Sequence, residues 1–114
     1  MEKLFEIIFL DEAFEYLHAL DRKHYEKILY NMRKTQVQQD VALFKKLKDD
    51  IWEFRTLYMG LQYRLLAFWD KTTPNQTLVV ATHGFVKKRS KVPENEIQRA
   101  IQLMDKYFIE KTKS

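Results

Sequence analysis

Glu53, Arg55, Arg64 and His83 fall within three strand-like runs between Leu47 and Pro93, and the last run ends in Lys87-Lys88-Arg89. Side chains alternate along a strand, so Glu53 and Arg55, two residues apart, share a face. If Met59-Gly60 closes a tight hairpin with Tyr58 paired to Leu61, Arg55 stands directly opposite Arg64. Like charges so placed cost from a few tenths to about 1 kcal/mol. The spacing therefore predicts an anion beside the arginines. Two candidates stand open: an internal salt bridge to Glu53, or an external phosphate.

The neighbouring residues extend the list. His83 ends a strand-like run just before Gly84, where an imidazole titrating near neutrality serves either as a half-buried structural group or in proton transfer. Gly84 permits a sharp exit or a close backbone approach. Phe85 seals the core or stacks on a base. Lys87, Lys88, Arg89 and Lys91 are four cations in five residues, a solvated loop or a phosphate grip. His18 and His24 fall in helical sequence and are expected to face solvent, and the three histidines form no metal motif.

Composition narrows the class. The 114 residues are 46% hydrophobic and 32% charged, with 16 aromatics, enough for one domain spanning 1–114 with a real core. Without cysteine there is neither a disulfide framework nor a thiolate metal site. The run LFEIIFL has no basic flank and carries Glu6, and no stretch reaches the ~18 apolar residues of a membrane span, so a cytoplasmic protein is expected. The net charge of +4 is unevenly spread: residues 1–43 carry six Lys/Arg against eight Asp/Glu, and residues 44–114 carry fourteen against eight. A basic half holding the strands points to a polyanion partner.

The elements that must position these groups follow from periodicity. Residues 3–10 read as a buried strand. Asp11 and Asp21 read as helix N-caps, the first followed by Phe14, Leu17 and Leu20, the second by Tyr25, Ile28, Leu29 and Met32, so 11–36 is a helical hairpin or one bent helix. Residues 37–50 read as a short turn of helix and a loop. Two strands follow, with Trp52, Phe54, Leu65 and Ala67 as their core face. A turn at 70–76 leads to a fourth strand at 77–83. After Pro93, Ile97, Ala100, Ile101, Met104, Tyr107 and Phe108 form the clearest amphipathic helix, and the last residues, EKTKS, are expected to fray. The order β-α-α-β-β-β-α predicts an α+β fold, a mostly antiparallel sheet with helices packed on one face.

At this point the residues carry a resemblance. LKDDIWEFR, the YR of the next strand, and HGFVKKRSKVPENEIQRA leading into the last helix resemble the phage-derived HigB-like branch of the RelE/ParE toxin superfamily, over about residues 40–108. The resemblance implies a RelE-like toxin of a type II toxin–antitoxin pair. Such a protein would work on the ribosome as a metal-independent endoribonuclease cleaving mRNA, with no cofactor and a HigA-like helix-turn-helix antitoxin as partner. Arg64 matches the arginine of the YR strand and is the implied transition-state stabiliser, with Arg55 second. Lys87 and Lys88 match the family's lysine pair, to grip phosphate or act as the acid, and Glu53 and His83 are the candidate bases. Lys45, Lys46, Lys48, Arg89 and Lys91 complete the expected RNA-binding set. The terminal tyrosine or histidine of some branches has no counterpart near Lys88. Two other readings stand beside this one: a ParE-like toxin that binds DNA gyrase without nuclease activity, and a phage accessory protein that binds nucleic acid through its basic loop.

Overall fold

The computed structural model describes residues 2–113. In chain order the elements are β1 (Glu6–Phe9), α1 (Asp11–His18), α2 (Arg22–Val37), β2 (Phe44–Lys48), β3 (Ile51–Tyr58), β4 (Leu61–Asp70), β5 (Leu78–Val86) and α3 (Glu94–Lys113). The strands form one sheet in the order β1-β5-β4-β3-β2. β1 runs parallel to β5, and every other pairing is antiparallel.

The β3–β4 hairpin has the expected register, Tyr58 opposite Leu61 and Arg55 opposite Arg64. Its two loop residues, Met59 (φ 49°) and Gly60 (φ 78°), both adopt the positive φ that a twist-matched two-residue loop requires.

The expectation that the helices share one face is corrected. On β4 and β5 both faces are apolar: Leu65, Ala67, Val79 and Ala81 point to one side, Leu66, Phe68, Leu78 and Val80 to the other. An apolar sheet face must be covered. α1 and α2 cover the first through Ala13, Leu17, Ile28 and Met32, and α3 covers the second through Ile97 and Ala100.

Segment 37–50 is also corrected, because it contains the edge strand β2. Phe44 pairs with Phe54, their rings stacked at 4.4 Å, and Lys45 pairs with Glu53. A register shift between Lys46 and Lys48 breaks the alternation that would have marked the strand. The helical region is a hairpin of two helices. Leu10, not Asp11, occupies the first N-cap, and Asp21 caps the second without a side-chain hydrogen bond. β5 continues past residue 83 to Val86, which places Gly84 inside the strand.

At the other end, α3 continues through Lys113 where fraying from residue 110 was expected; Ser114 lies outside the described residues. The fully buried Asp70 carboxylate explains this order. It accepts hydrogen bonds from Lys111 Nζ (2.6 Å), Tyr107 Oη (2.6 Å) and the Thr72 amide and hydroxyl (2.9 and 2.7 Å). Burial alone would raise its pKa, yet these donors outweigh it and hold Asp70 well below the usual carboxylate range, while burial and Asp70 push the Tyr107 phenol up to about 12.

Candidate active site

α3 covers its sheet face only in part. Its first turn reaches β5 at His83, and beyond that point the face is built from Glu53 and Arg55 on β3, Arg64 on β4, and Phe85 opposite Arg64 on β5. Alternation fixes these orientations, since Leu66, paired with both Glu53 and His83, belongs to the core under α3.

The two arginines meet one carboxylate. Glu53 Oε1 lies 3.0 Å from Arg64 Nε and 3.5 Å from Arg55 Nε. Side-chain exposure is 4% for Glu53, 3% for Arg64 and 30% for Arg55. Arg64 is thus an internal residue and not part of an open polar surface. Its Nη1 donates to Tyr63 O (3.0 Å) and its Nη2 to Gln62 Oε1 (3.2 Å). The Nε–H of each arginine is buried without an aligned acceptor, so Glu53 offsets one of the two positive charges by proximity while leaving hydrogen-bonding capacity unused.

Lys87 and Lys45 complete a positive cluster. Lys45 pairs with Glu53 across β2 and β3, and the Lys87 amide donates to Gln62 O (2.7 Å), extending the ladder beyond β5. Burial, then Arg64, Arg55 and Lys45, pull the Lys87 pKa below that of an ordinary lysine, with Glu53 opposing. Burial likewise lowers Arg64 from its usual value, opposed by Glu53. Four cations therefore surround one buried carboxylate.

His83 lies on the same face but is tied down. Its Nδ1 is 3.0 Å from Thr82 Oγ1 and its Nε2 is 3.0 Å from Glu96 Oε1 in the first turn of α3. The ring is buried, which lowers its pKa against the opposing pull of Glu96. Both nitrogens being engaged, His83 anchors α3 to β5 and stacks on Phe85 at 6.0 Å.

The remaining expected residues scatter. Lys88, Arg89 and Lys91 are exposed on the loop before α3. Lys48 pairs with Glu94 (3.3 Å), and Lys46 lines a groove beside Trp52 and Trp69 at the far end of the sheet. His18 faces solvent as expected, whereas His24 is half-buried with Nδ1 2.6 Å from Tyr63 Oη, a correction that needed the packing of α2 on β4. Gln62, which orients Arg64, was missed; its place two residues before Arg64 on the hairpin was the available signal. Among the described residues no three His, Asp or Glu side chains converge as a metal site requires.

The family pattern of the phage derived protein Gp49-like family matches residues 15–105, spanning β3, β4, β5 and most of α3. The chain belongs to that family. Among solved structures, the Gp49-like chain is similar to one in the crystal structure of the toxin–antitoxin complex RelBE2 from Mycobacterium tuberculosis. Identity is 18%, coverage is 73% of this chain and 98% of that one, and the TM-score is 0.56. That likeness establishes the shared RelE-like fold. No curated protein matches the chain.

Proposed function

We propose that this Gp49-like protein is the toxin of a type II toxin–antitoxin pair, of the HigB-like kind, and that it cleaves mRNA on the ribosome in the cytoplasm. The observation that carries this reading is the Arg55–Arg64 pair held opposite each other around the single buried carboxylate of Glu53, with Lys45 and Lys87 beside it. Such a cluster keeps a surplus of positive charge that reaches solvent through Arg55, Lys45 and Lys87, which suits a phosphate that gains charge in the transition state.

RNA supplies its own nucleophile. The 2′-oxygen attacks the adjacent phosphorus, the bond from phosphorus to the 5′-oxygen breaks, and the products are a 2′,3′-cyclic phosphate and a free 5′-hydroxyl. One proton must leave the 2′-hydroxyl and one must reach the 5′-oxygen. Lys87 in its neutral form suits the first step and its ammonium the second, because its surroundings favour loss of charge. Half-exposed Arg55 is placed to grip the non-bridging oxygens, and buried Arg64 adds fixed charge behind it. Glu53, almost wholly buried between the arginines, is better suited to holding them than to accepting a substrate proton, and His83 to holding α3.

The similarity to a chain of a toxin–antitoxin complex supports an antitoxin partner, for which a HigA-like helix-turn-helix protein is the reading offered. The test is mRNA on programmed ribosomes with purified protein. New 5′-hydroxyl ends that appear with the wild-type protein and disappear with Arg55→Ala are the expected result. Intact mRNA with inhibited DNA supercoiling would move the protein to the gyrase-binding class, and intact mRNA with intact supercoiling would leave it a nucleic-acid-binding accessory protein.

A further inference from the structure

Arg55 opens around the edge of the sheet, where buried Arg64 behind it also lines a groove. β2 begins at Phe44, opposite Phe54, and the Arg55 amide donates to Leu43 O (2.7 Å). Beyond that, Thr56–Tyr58 of β3 pairs with β4 on one side and faces α2 on the other. Asn31 Nδ2 of α2 donates to Thr56 Oγ1 (3.0 Å), pinning the helix along this gap. Here a groove of about 710 Å³ brings Lys27, Tyr30 and Lys34 of α2 together with Arg55, Gln62 and Arg64. Asp40 also lines it, with Oδ1 accepting the Ala42 amide (2.9 Å).

Lys27 and Tyr30 belong equally to a second groove, of about 880 Å³, which continues past Lys23 toward the start of α2. Positions 23, 27, 30 and 34 repeat at helical spacing and make one stripe. α2 carries five cations, Arg22, Lys23, Lys27, Arg33 and Lys34, against one acid, Glu26, which Arg22 holds at 3.1 Å. Among the described residues Lys23, Lys27 and Lys34 have no carboxylate partner. Tyr30 is 61% exposed, with Lys27 Nζ 5.4 Å from its ring centroid. The acidic residues before Arg22 hide this surplus in the charge balance of the N-terminal half.

We infer that α2 is a second RNA-binding track, continuous with the arginine pair, on which a single strand lays phosphates along Lys23, Lys27 and Lys34 and stacks a base on Tyr30. The inference rests on the reading of Arg55 and Arg64 as a phosphate site. Exposed aromatics among cations along a groove are the recurrent design for single strands. A docked protein helix would need an apolar stripe, but the apolar side of α2, Ile28 and Met32, is already spent on the core, and the groove offers only the exposed Leu57, beside Tyr30, among its cations.

The experiment is fluorescence anisotropy with labelled single-stranded RNA of about 4 and about 16 nucleotides, the range of site sizes on such surfaces, over a salt series on the full chain. The long oligomer should bind more tightly and with a steeper salt slope than the short one. Lys27→Ala with Lys34→Ala should flatten that slope by about 1.4 units, about 0.7 for each phosphate contact on a single strand. Tyr30→Ala should weaken long-oligomer binding roughly tenfold or more, the range for a lost stacking platform. All three side chains are at least partly exposed, and melting curves check that the variants fold. Equal affinity for both lengths, or wild-type binding by the α2 variants, overturns the track; if Arg55→Ala alone then impairs binding, the arginine site survives without it. α2 variants that bind a protein partner less well but RNA normally also overturn it. Impaired RNA binding by the α2 variants, combined with uncleaved mRNA on ribosomes, supports the track and refutes the nuclease.

Discussion

The ring of Tyr16 on α1 lies against Gly84 within β5, so close that a Cβ at residue 84 would fall 2.8 Å from Tyr16 Cε2 and 2.9 Å from Cγ. Of the two roles open to this glycine, close approach is the one realised. It lets α1 settle onto the sheet one residue from His83 and Phe85, on the face opposite the arginine cluster.

Gly84→Ala should therefore lower stability by about 1–3 kcal/mol, the usual cost of overpacking. Thermal unfolding reads this directly. The partial relief expected from Gly84→Ala combined with Tyr16→Leu, which removes the obstructing ring, separates the contact from any backbone preference. An alanine variant that melts with the wild type would refute it.

The arginines should separate charge from fold. Arg55→Ala removes a half-exposed guanidinium and should cut single-turnover cleavage by about 10²–10³-fold, as for loss of one preorganised charge-stabilising donor, with little change in melting temperature. Arg64→Ala instead takes the buried partner from the Glu53 carboxylate, leaving it only the part-exposed Arg55, and should cost clearly more than Arg55→Ala, up to the roughly 3–5 kcal/mol of a broken buried pair. Chemical denaturation of both variants, beside their cleavage rates, distinguishes the two roles; equal destabilisation would contradict the difference in burial.

Lys87 sets a pH dependence. Its ammonium cannot accept the 2′-hydroxyl proton, so cleavage should rise with pH while the ammonium is being lost and level off at the depressed pKa, below the ordinary lysine value of about 10.4. Lys87→Arg keeps the charge but cannot lose it in this range. It should retain RNA affinity and flatten the profile. A profile unchanged in that variant removes Lys87 from proton transfer.

Asp70 should couple α3 to acid. Its folded pKa lies below the unfolded value of about 3.9, so its stabilisation is complete above that value and is lost as pH falls through it toward the folded pKa. Asp70→Asn should lower the melting temperature at neutral pH, because Lys111 and Tyr107 lose a charged acceptor. It should also lessen the acid sensitivity below pH of about 4. Melting scans of wild type and variant across that range provide the check, and parallel curves would show that Asp70 contributes nothing through its charge.

The sequence by itself determined the hairpin and what it carries. Met59-Gly60 admits the positive φ pair of a two-residue loop, and a two-residue loop leaves one register, so Arg55 opposite Arg64 was legible before any fold was known. The last helix was legible for the same kind of reason, since its apolar repeat is local. Tertiary structure alone decided which layer lies over which face. β4 and β5 are apolar on both sides, so alternation could not say that α3 goes opposite α1 and α2. The edge strand β2 was invisible because Phe44 finds its partner ten residues away in Phe54 and its other positions are mostly lysine. Packing also turned Arg64 from a surface cation into a buried one beside Glu53, and joined His83 to Glu96 across thirteen residues. Finally, it laid the cationic stripe of α2 beside the arginine pair, since which surfaces become neighbours depends on how separate elements bury their apolar sides, and no local spacing records that.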